Sequence, residues 1–309
     1  MSNLSSYEQI LKEFVDRDDR TVIMTAENRA PMRNLAGLIG NRFIDTGITE
    51  QAMVGISAGL ALRGRRPVIH ALASFLTMRA FEFIRTDLGI PNLPVKVVGF
   101  VPGILSDGNG ATHQAIEDVS LMRGIPNMRV FAPADEQDLT IGLRTILEDN
   151  QPCYIRWHMM KPVVDHQRSF EIGKAEVLSK GMDVQVLTYG ALFGEAYQAV
   201  EKLKQEGLSV GITNMRMLSP VDENAILDAV QGAKLTVTVE DHFLRGGLAT
   251  IVAETLTRAK VTGEILNIGF DQQWFRPARL PDVLAYEGLN AEKLTGRIMR
   301  KFMELKNAK

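Results

Sequence analysis

The sequence predicts an α/β fold with two domains, each built on a mostly parallel sheet with flanking helices. Short runs rich in β-branched residues alternate with helical patterns along the chain, which is typical of parallel α/β layers. The 309 residues are enough for two domains of ordinary size. A polar segment at 159–176 interrupts the alternation, and we place the boundary near residue 172. The predicted domains are therefore 1–172 and 173–309.

The elements of both domains follow from this alternation. An amphipathic helix is expected at the N-terminus, with no pattern of a signal or transit peptide. First-domain strands are predicted at 20–26, 67–73, 95–101, 128–133 and 153–157, and helices near 50–62, 75–87, 114–123 and 136–148. Asp135 is the expected N-cap of the last helix. Second-domain strands are predicted at 183–190, 208–214, 234–240 and 264–270, with helices ending near 207 and starting after 220 and 247.

Composition limits the classes of partner. The formal net charge of −2 gives no electrostatic reason to expect nucleic acid or an anionic membrane surface. A single cysteine, Cys153, excludes an internal disulfide framework and suits a reducing cytoplasm. No apolar run approaches the roughly 20 residues that a membrane span requires. We expect a cytoplasmic globular protein with no nucleic-acid or membrane partner.

One carboxylate stands at an unexpected place. Glu50 follows strand-like residues, Gly47 and Thr49, and opens an apolar helix rich in alanine and glycine that should be largely buried. A first-turn acid is favoured by the positive end of the helix dipole, with Thr49 as the N-cap. For an isolated Glu50 this structural role is sufficient, so the neighbouring motifs decide whether it has another.

Two other segments place side chains after predicted strands. A glycine-rich loop leads to Thr112 and His113 at the start of a helix, and Phe75 follows a strand and opens another helix. The carboxyl ends of parallel strands are where α/β proteins usually bind ligands. Considered singly, His113 is explained as a cap or core residue and Phe75 as core. Gly246 and Gly247 are interpreted as structural, because the G-x-G-x-x-G spacing of dinucleotide sites is missing.

Three segments, in order and at the right intervals, resemble the C-terminal half of transketolase. They are "DTGITEQAMVGISAGLALRGRRPVIHALASFLTMRAFEFIR", "GNGATHQAIEDVSLMRGIPNMRVFAPAD" and "VEDHFLRGGLATIVAE". The resemblance extends from about residue 18 to the end of the chain. It implies a pyrimidine-binding domain of thiamine diphosphate enzymes, followed by a transketolase C-terminal domain.

The resemblance implies roles for three residues. Glu50 matches the glutamate that hydrogen-bonds the aminopyrimidine of thiamine diphosphate and favours the tautomer that deprotonates the thiazolium ring. Phe75 matches the aromatic residue that stacks on the aminopyrimidine. His113 matches a histidine that contacts substrate oxygens and helps to move protons. Glu50 and His113 are thus the expected catalytic residues, and Glu50 and Phe75 the expected cofactor-binding residues.

The resemblance also implies a second chain. The G-D-G motif, followed by an asparagine, that holds the diphosphate through a divalent metal does not occur in this sequence. The chain therefore resembles the B subunit of a split transketolase, which transfers a two-carbon ketol unit from a ketose to an aldehyde. The expected partner is an N-terminal-half subunit that carries the G-D-G motif and holds Mg²⁺ or Ca²⁺. We expect an α2β2 heterotetramer that shares its cofactor sites, and no metal ligands in this chain.

Three positions depart from the family pattern where it concerns the substrate. Asn109 replaces an aspartate that contacts a sugar hydroxyl, and Val101 replaces a phosphate-binding histidine of many transketolases. Met159 replaces an arginine at the end of a run that retains Arg156. By resemblance, Asn109 and Arg156 join His113 as expected substrate-binding residues.

The missing arginine bears on the phosphate of the substrate. A phosphate that lacks its arginine loses a charge-assisted contact of about 1.5–3 kcal/mol. One hypothesis is therefore that the sugar substrate is not an ordinary pentose-pathway phosphate and lacks the phosphate. The alternative is that Arg29, Arg33 or a residue of the partner supplies the charge.

The motifs are also compatible with other functions. A 1-deoxyxylulose-5-phosphate synthase-like half shares the "THQ" and "SFL" surroundings and would decarboxylate pyruvate. A β-type subunit of a 2-oxo acid dehydrogenase fits the wording of the motifs less well. A non-catalytic interaction subunit belongs to a different class, and the combination of Glu50, Phe75 and His113 argues against it.

Overall fold

A computed structural model describes residues 4–271, 274 and 276–307 of the chain. The predicted fold class is confirmed, because both sheets are mostly parallel and helices flank them. The described strands are β1 Thr21–Thr25, β2 Phe43–Asp45, β3 Arg66–Leu72, β4 Lys96–Phe100, β5 Arg129–Phe131, β6 Cys153–Trp157, β7 Glu176–Ser179, β8 Val184–Thr188, β9 Val210–Asn214, β10 Met217–Ser219, β11 Leu235–Phe243 and β12 Ile265–Phe270.

The described helices lie between these strands. The α-helices are α1 Ser6–Arg17, α2 Ala36–Ile39, α3 Glu50–Leu62, α4 Phe81–Phe83, α5 Asp118–Arg123, α6 Glu136–Glu148, α7 Phe193–Gln205, α8 Glu223–Gly232, α9 Leu248–Ala259, α10 Leu280–Tyr286 and α11 Ala291–Asn307. Two π-helical segments, Phe75–Arg79 and Ile84–Gly89, flank α4. No helix within the described ranges is both long and apolar enough to cross a membrane.

Two predicted helices have different bounds. The predicted helix 75–87 consists of two π-helical segments separated by α4. The predicted helix 114–123 begins only at Asp118, because Ala115 instead forms an antiparallel bridge with Gly103. By contrast, α3 and α6 have their predicted bounds, and the carboxylate of Asp135 caps α6 by accepting bonds from two backbone N–H groups. Thr49 does not cap α3, because its hydroxyl donates to the carbonyl of Thr46.

The first sheet contains a strand from the second half of the chain. Its strand order is β10-β5-β6-β4-β3-β1-β2, and only the β10–β5 pair among these is antiparallel. The second sheet has the order β12-β11-β8-β9-β7, with β7 antiparallel to β9. An apolar cluster also spans both halves, since Leu76 and Met122 share it with Met215 and Ile251. The boundary at 172 stays a prediction, because pairing and packing cross it.

Charged side chains are buried where the two halves meet. His166 bonds the carboxylates of Asp135 and Glu176 through its two ring nitrogens, each at 2.7 Å. The Nη2 atom of Arg216 lies 2.6 Å from Glu176 and 3.0 Å from Asp138. We call these five residues the interdomain charge cluster. Burial opposes protonation of His166, but the bonds to Asp135 and Glu176 outweigh it and raise its pKa to about 10.

The cluster predicts a pH-dependent contribution to stability. Because the pKa of folded His166 lies above its ordinary value of 6.5, the stabilisation is complete below about pH 6.5 and is lost as the pH rises through 10. We expect His166→Gln to lower the free energy of unfolding by about 3–5 kcal/mol near pH 6. The deficit should shrink steadily toward pH 10, as measured by urea unfolding.

The exposed ion pair of Arg258 with Glu223 supplies the control. Arg258→Gln should change the unfolding free energy by less than about 1 kcal/mol. A deficit for His166→Gln that is the same at pH 6 and pH 10 would show that His166 is not charged in the folded protein.

Candidate active site

A tight turn after β2 leads the chain into α3 and buries Glu50. The carboxylate of Asp45 accepts a bond from the N–H of Gly47 at 3.0 Å, and Gly47 has a φ of 72° that favours glycine. Glu50 is the first residue of α3 and is 2% exposed. An unpartnered carboxylate at such a position would be costly. The turn therefore creates a site that requires a hydrogen-bond donor opposite Glu50.

The donor in this structure is Arg79. Its Nη1 donates to Oε2 of Glu50 at 3.0 Å, and its Cζ lies 4.1 Å from the centre of the Phe75 ring. Phe75 and Arg79 are the ends of one π-helical segment, in which the N–H of Ala80 bonds the carbonyl of Phe75 at 3.1 Å. Such wide turns occur frequently at functional sites. The guanidinium thus connects the carboxylate of Glu50 with the face of Phe75.

His113 completes the group by contacting the ring of Phe75. The two rings lie 5.2 Å apart at an interplanar angle of 63°, an edge-to-face arrangement. The Nδ1 atom of His113 is 2.9 Å from the hydroxyl of Thr112. The structure therefore brings the three residues together: Arg79, which sequence reasoning missed, joins Glu50 to Phe75, and Phe75 contacts His113. The four-residue spacing from Phe75 to Arg79 was the available signal.

The loop that carries His113 is held at both sides. Gly103 and Ala115 exchange two backbone hydrogen bonds of 3.0 Å, and the N–H of Phe243 bonds the carbonyl of Ile116 at 3.0 Å. The loop leaves β4 at Val101, a β-branched residue with a φ of 47°. That conformation costs about 1–3 kcal/mol and persists only where surrounding contacts impose it. These contacts fix the position of His113, although the helix predicted to start beside it begins only at Asp118.

Arg156 has a different place from the predicted one. Its side chain is fully buried, and it bonds the carboxylates of Asp118 at 2.9 Å and Asp241 at 2.6 Å. Burial disfavours its charge, but the two carboxylates outweigh burial and hold the pKa of Arg156 above its ordinary value. Contact with substrate is therefore not supported for Arg156. Because Asp118 opens α5 and Asp241 belongs to β11, the arginine instead fastens the elements around the His113 loop.

The remaining substrate positions are at the surface. Asn109 is exposed, and its amide donates to the carbonyl and hydroxyl of Ser106 within the same loop. The described hydrogen bonds of Asn109 go to Ser106 and not to Phe75 or His113. Met159 is 61% exposed, and Arg29 pairs with Asp45 beside the turn into α3.

The charge cluster contains ligand types suited to a metal. Asp138, His166 and Glu176 present atoms within 4.8 Å of one another. However, Arg216 lies against both carboxylates and His166 bonds Glu176 directly. These protein groups already supply positive charge there, so we interpret this group as a structural cluster.

Comparison with known proteins identifies the family. The model of the transketolase pyrimidine-binding domain matches residues 1–161, and that of the transketolase C-terminal domain matches residues 173–294. This chain belongs to the transketolase family. A Methanocaldococcus jannaschii protein named for the C-terminal section of transketolase is 36% identical over 262 residues, which are 84% of this chain and 82% of that protein.

Two further transketolase-family relatives bear on function. A 6-deoxy-6-sulfo-D-fructose transketolase subunit of Clostridium sp. is 35% identical over 81% of this chain and 79% of its own length. A 1-deoxy-D-xylulose-5-phosphate synthase of Synechococcus sp. is 34% identical over 94% of this chain. The match covers 46% of that synthase, so this chain spans about half the length of such relatives. Both families depend on thiamine diphosphate.

Among solved structures, a split-gene transketolase titled as an inactive beta4 tetramer matches with a TM-score of 0.85 and 30% identity. The match covers 96% of this chain and 97% of that one. The transketolase of Leishmania mexicana has a TM-score of 0.80 at 19% identity, over 97% of this chain and 45% of its own, which shows the shared fold.

The packing of the His113 loop predicts the effect of one methyl group. Gly103 has a φ of 60°, and a Cβ there would lie 1.8 Å from Oδ2 of Asp241 and 2.7 Å from Nη2 of Arg156. We expect Gly103→Ala to destabilise the chain by more than about 2 kcal/mol in urea unfolding, because strain and overpacking add. Gly108→Ala is the matched control, since a Cβ at Gly108 meets no atom within 4 Å. Equal unfolding midpoints for the two variants would contradict this account.

Proposed function

We propose that this chain is the pyrimidine-side subunit of a split transketolase. In association with an N-terminal-half subunit it transfers a two-carbon ketol unit from a ketose to an aldehyde. The observation that carries the proposal is the buried carboxylate of Glu50, connected through a flat donor group to Phe75 with His113 at the ring edge. A glutamate that only stabilised the first turn of α3 would not need Phe75 and His113 beside it.

The residues fit the aminopyrimidine of thiamine diphosphate. The guanidinium of Arg79 shows that a planar group can donate to Glu50 and stack on Phe75 at the same time. An aminopyrimidine offers the same two contacts. In addition, the buried hydroxyl of Ser74, next to Phe75, has no hydrogen-bond partner among the described residues. When bound, the coenzyme supplies the electron sink for the two-carbon unit.

The side chains of this chain would then act on protons and orientation. Glu50 shares a proton with the pyrimidine ring, and its burial keeps water from competing for that proton. Phe75 fixes the plane of the ring by stacking, a contact of about 1 kcal/mol beyond its buried area. Because Thr112 engages Nδ1 of His113, we assign Nε2 to the substrate oxygens, where it gives and takes a proton.

The outer side of α3 supports a partner chain. Most α3 residues are apolar or small, yet one side remains exposed in this chain. We call this side the α3 stripe, which consists of Ala52, Ile56, Gly59 and Leu62 on α3, together with Ile48 in the turn just before it. A helix that is apolar all round is usually covered. We assign the stripe to the N-terminal-half subunit, because α3 also positions Glu50 and the chain lacks a G-D-G motif for the diphosphate.

Assembly as an α2β2 heterotetramer follows from two shared sites. The partner would hold the diphosphate and its Mg²⁺ or Ca²⁺, and this chain would hold the pyrimidine. The split-gene relative supports dependence on a partner, since that protein is described as an inactive beta4 tetramer.

The departures from the family pattern at the expected substrate positions favour a sugar substrate without the usual phosphate. Arg156 is unavailable because Asp118 and Asp241 engage it, Val101 replaces a phosphate-binding histidine, and Met159 replaces an arginine. The similarity to a subunit acting on a sulfonated fructose accords with a non-standard sugar. Arg29 and Arg33, both exposed, are the alternative source of charge for a phosphate.

Replacement of Glu50 tests catalysis. In the complex of this chain with the G-D-G-bearing subunit and thiamine diphosphate, Glu50→Ala should reduce ketol transfer by at least about 100-fold, since the shared proton is lost. The exposed Glu82→Ala on α4 is the control and should retain activity. Unchanged turnover for Glu50→Ala would favour a non-catalytic interaction subunit.

The same assay distinguishes the reaction and the substrate. Similarity to 1-deoxy-D-xylulose-5-phosphate synthases makes pyruvate the relevant rival donor, and carbon dioxide release from pyruvate would select that reaction over ketol transfer. For the sugar, we compare kcat/KM for a phosphorylated ketose with kcat/KM for its dephosphorylated counterpart. A strong preference for the phosphorylated ketose would defeat the proposal of a phosphate-free substrate.

A charge on the α3 stripe tests the partner surface. Ile56 is 46% exposed, and Ile56→Glu should weaken association with the G-D-G-bearing subunit at least about tenfold by placing a charge in an apolar interface. Met182→Glu, at a 72% exposed apolar residue of the second half, is the control. If Ile56→Glu instead abolishes self-association of this chain and leaves the heteromeric affinity unchanged, the stripe binds a second copy.

A further inference from the structure

We propose that Arg79 is an internal placeholder for the coenzyme. In the coenzyme-free chain it satisfies Glu50 and covers Phe75, and it leaves both residues when the aminopyrimidine binds. This inference rests on the proposed function, because it takes thiamine diphosphate as the ligand of the site. It concerns a residue to which neither the family resemblance nor the motifs assigned a role.

Glu50 needs a hydrogen-bond donor as its partner. Its side chain is 3% exposed, and a buried carboxylate without a donor is strongly unfavourable. The partner that the structure supplies is the guanidinium of Arg79, 29 positions along the chain. Arg79 thereby satisfies Glu50 and holds it in place while no ligand is present.

The guanidinium of Arg79 and an aminopyrimidine need the same contacts. The guanidinium is planar, donates to Oε2 of Glu50 and lies over the ring of Phe75 at 4.1 Å. A bound aminopyrimidine is also planar, bonds Glu50 and stacks on Phe75. In this proposal the two planar groups compete for the carboxylate of Glu50 and for the face of Phe75 that Arg79 covers, so binding of one displaces the other.

Arg79 can leave Glu50 and Phe75 without burying its charge away from water. Its side chain is 43% exposed, so the guanidinium has direct access to water. The charge of Arg79 can therefore be solvated after displacement, whereas the buried Glu50 must exchange one partner for another. The broken contacts lower the apparent affinity for the coenzyme, as any competing closed state does.

The experiment measures thiamine diphosphate binding by isothermal titration calorimetry to the complex of this chain with the G-D-G-bearing subunit. Arg79→Met keeps an apolar stem over Phe75 and removes the competing guanidinium. We expect its Kd to be lower than that of the wild type by about three- to tenfold, the range for one half-exposed ion pair with a cation–π contact. Arg85→Met, also exposed, is the control and should match the wild type.

A weaker or unchanged Kd for Arg79→Met overturns the placeholder and assigns Arg79 to support of the bound state. A crystal structure of the wild-type complex with thiamine diphosphate gives a second test that needs no variant. Retention of the Arg79–Glu50 hydrogen bond there also overturns the inference. The proposed function fails separately if the wild-type complex does not bind the coenzyme, or if Glu50→Ala binds it as tightly as the wild type.

Discussion

The buried carboxylate of Glu50 is the constraint on which the candidate site depends. A carboxylate at 2% exposure needs a donor, and the donor found here is the flat guanidinium of Arg79, which also stacks on Phe75. Three features meet this requirement: the turn after β2 places Glu50, the π-helical segment carries Phe75 and Arg79, and the side chain of Arg79 donates to Glu50. The same constraint explains why an internal arginine and an external heterocycle can use one position.

Buried ion pairs hold the two halves of the chain in register around this site. Arg156 bonds carboxylates from both halves, and the interdomain charge cluster surrounds His166 with acidic partners. Removing one member of such a group leaves an uncompensated charge, so the groups act as units. Since Asp118 begins α5 directly after the His113 loop, the ion pair of Arg156 with Asp118 supports the position of that loop.

In the proposed function, this chain supplies one half of a thiamine diphosphate site. Its family membership and its match to split transketolases fit a pyrimidine side with Glu50, Phe75 and His113 but without the diphosphate motif. The apolar α3 stripe lies on the helix that begins with Glu50. One helix therefore connects the chemistry of the coenzyme with the surface assigned to the partner, which makes association and catalysis interdependent in this proposal.

The sequence by itself determined the fold class and the bounds of α3 and α6, whereas Glu50, Phe75 and His113 were selected as candidate site residues by the resemblance to transketolase. These depend on local periodicity, caps and motif spacing, which are written in adjacent residues. Only the tertiary structure decided the π-helical turns, the pairing of β10 with the first sheet and the partners of Arg79 and Arg156. Those features arise from contacts between distant positions, such as the 85 that separate Arg156 from Asp241, and no local pattern encodes which charges meet when the sheets pack.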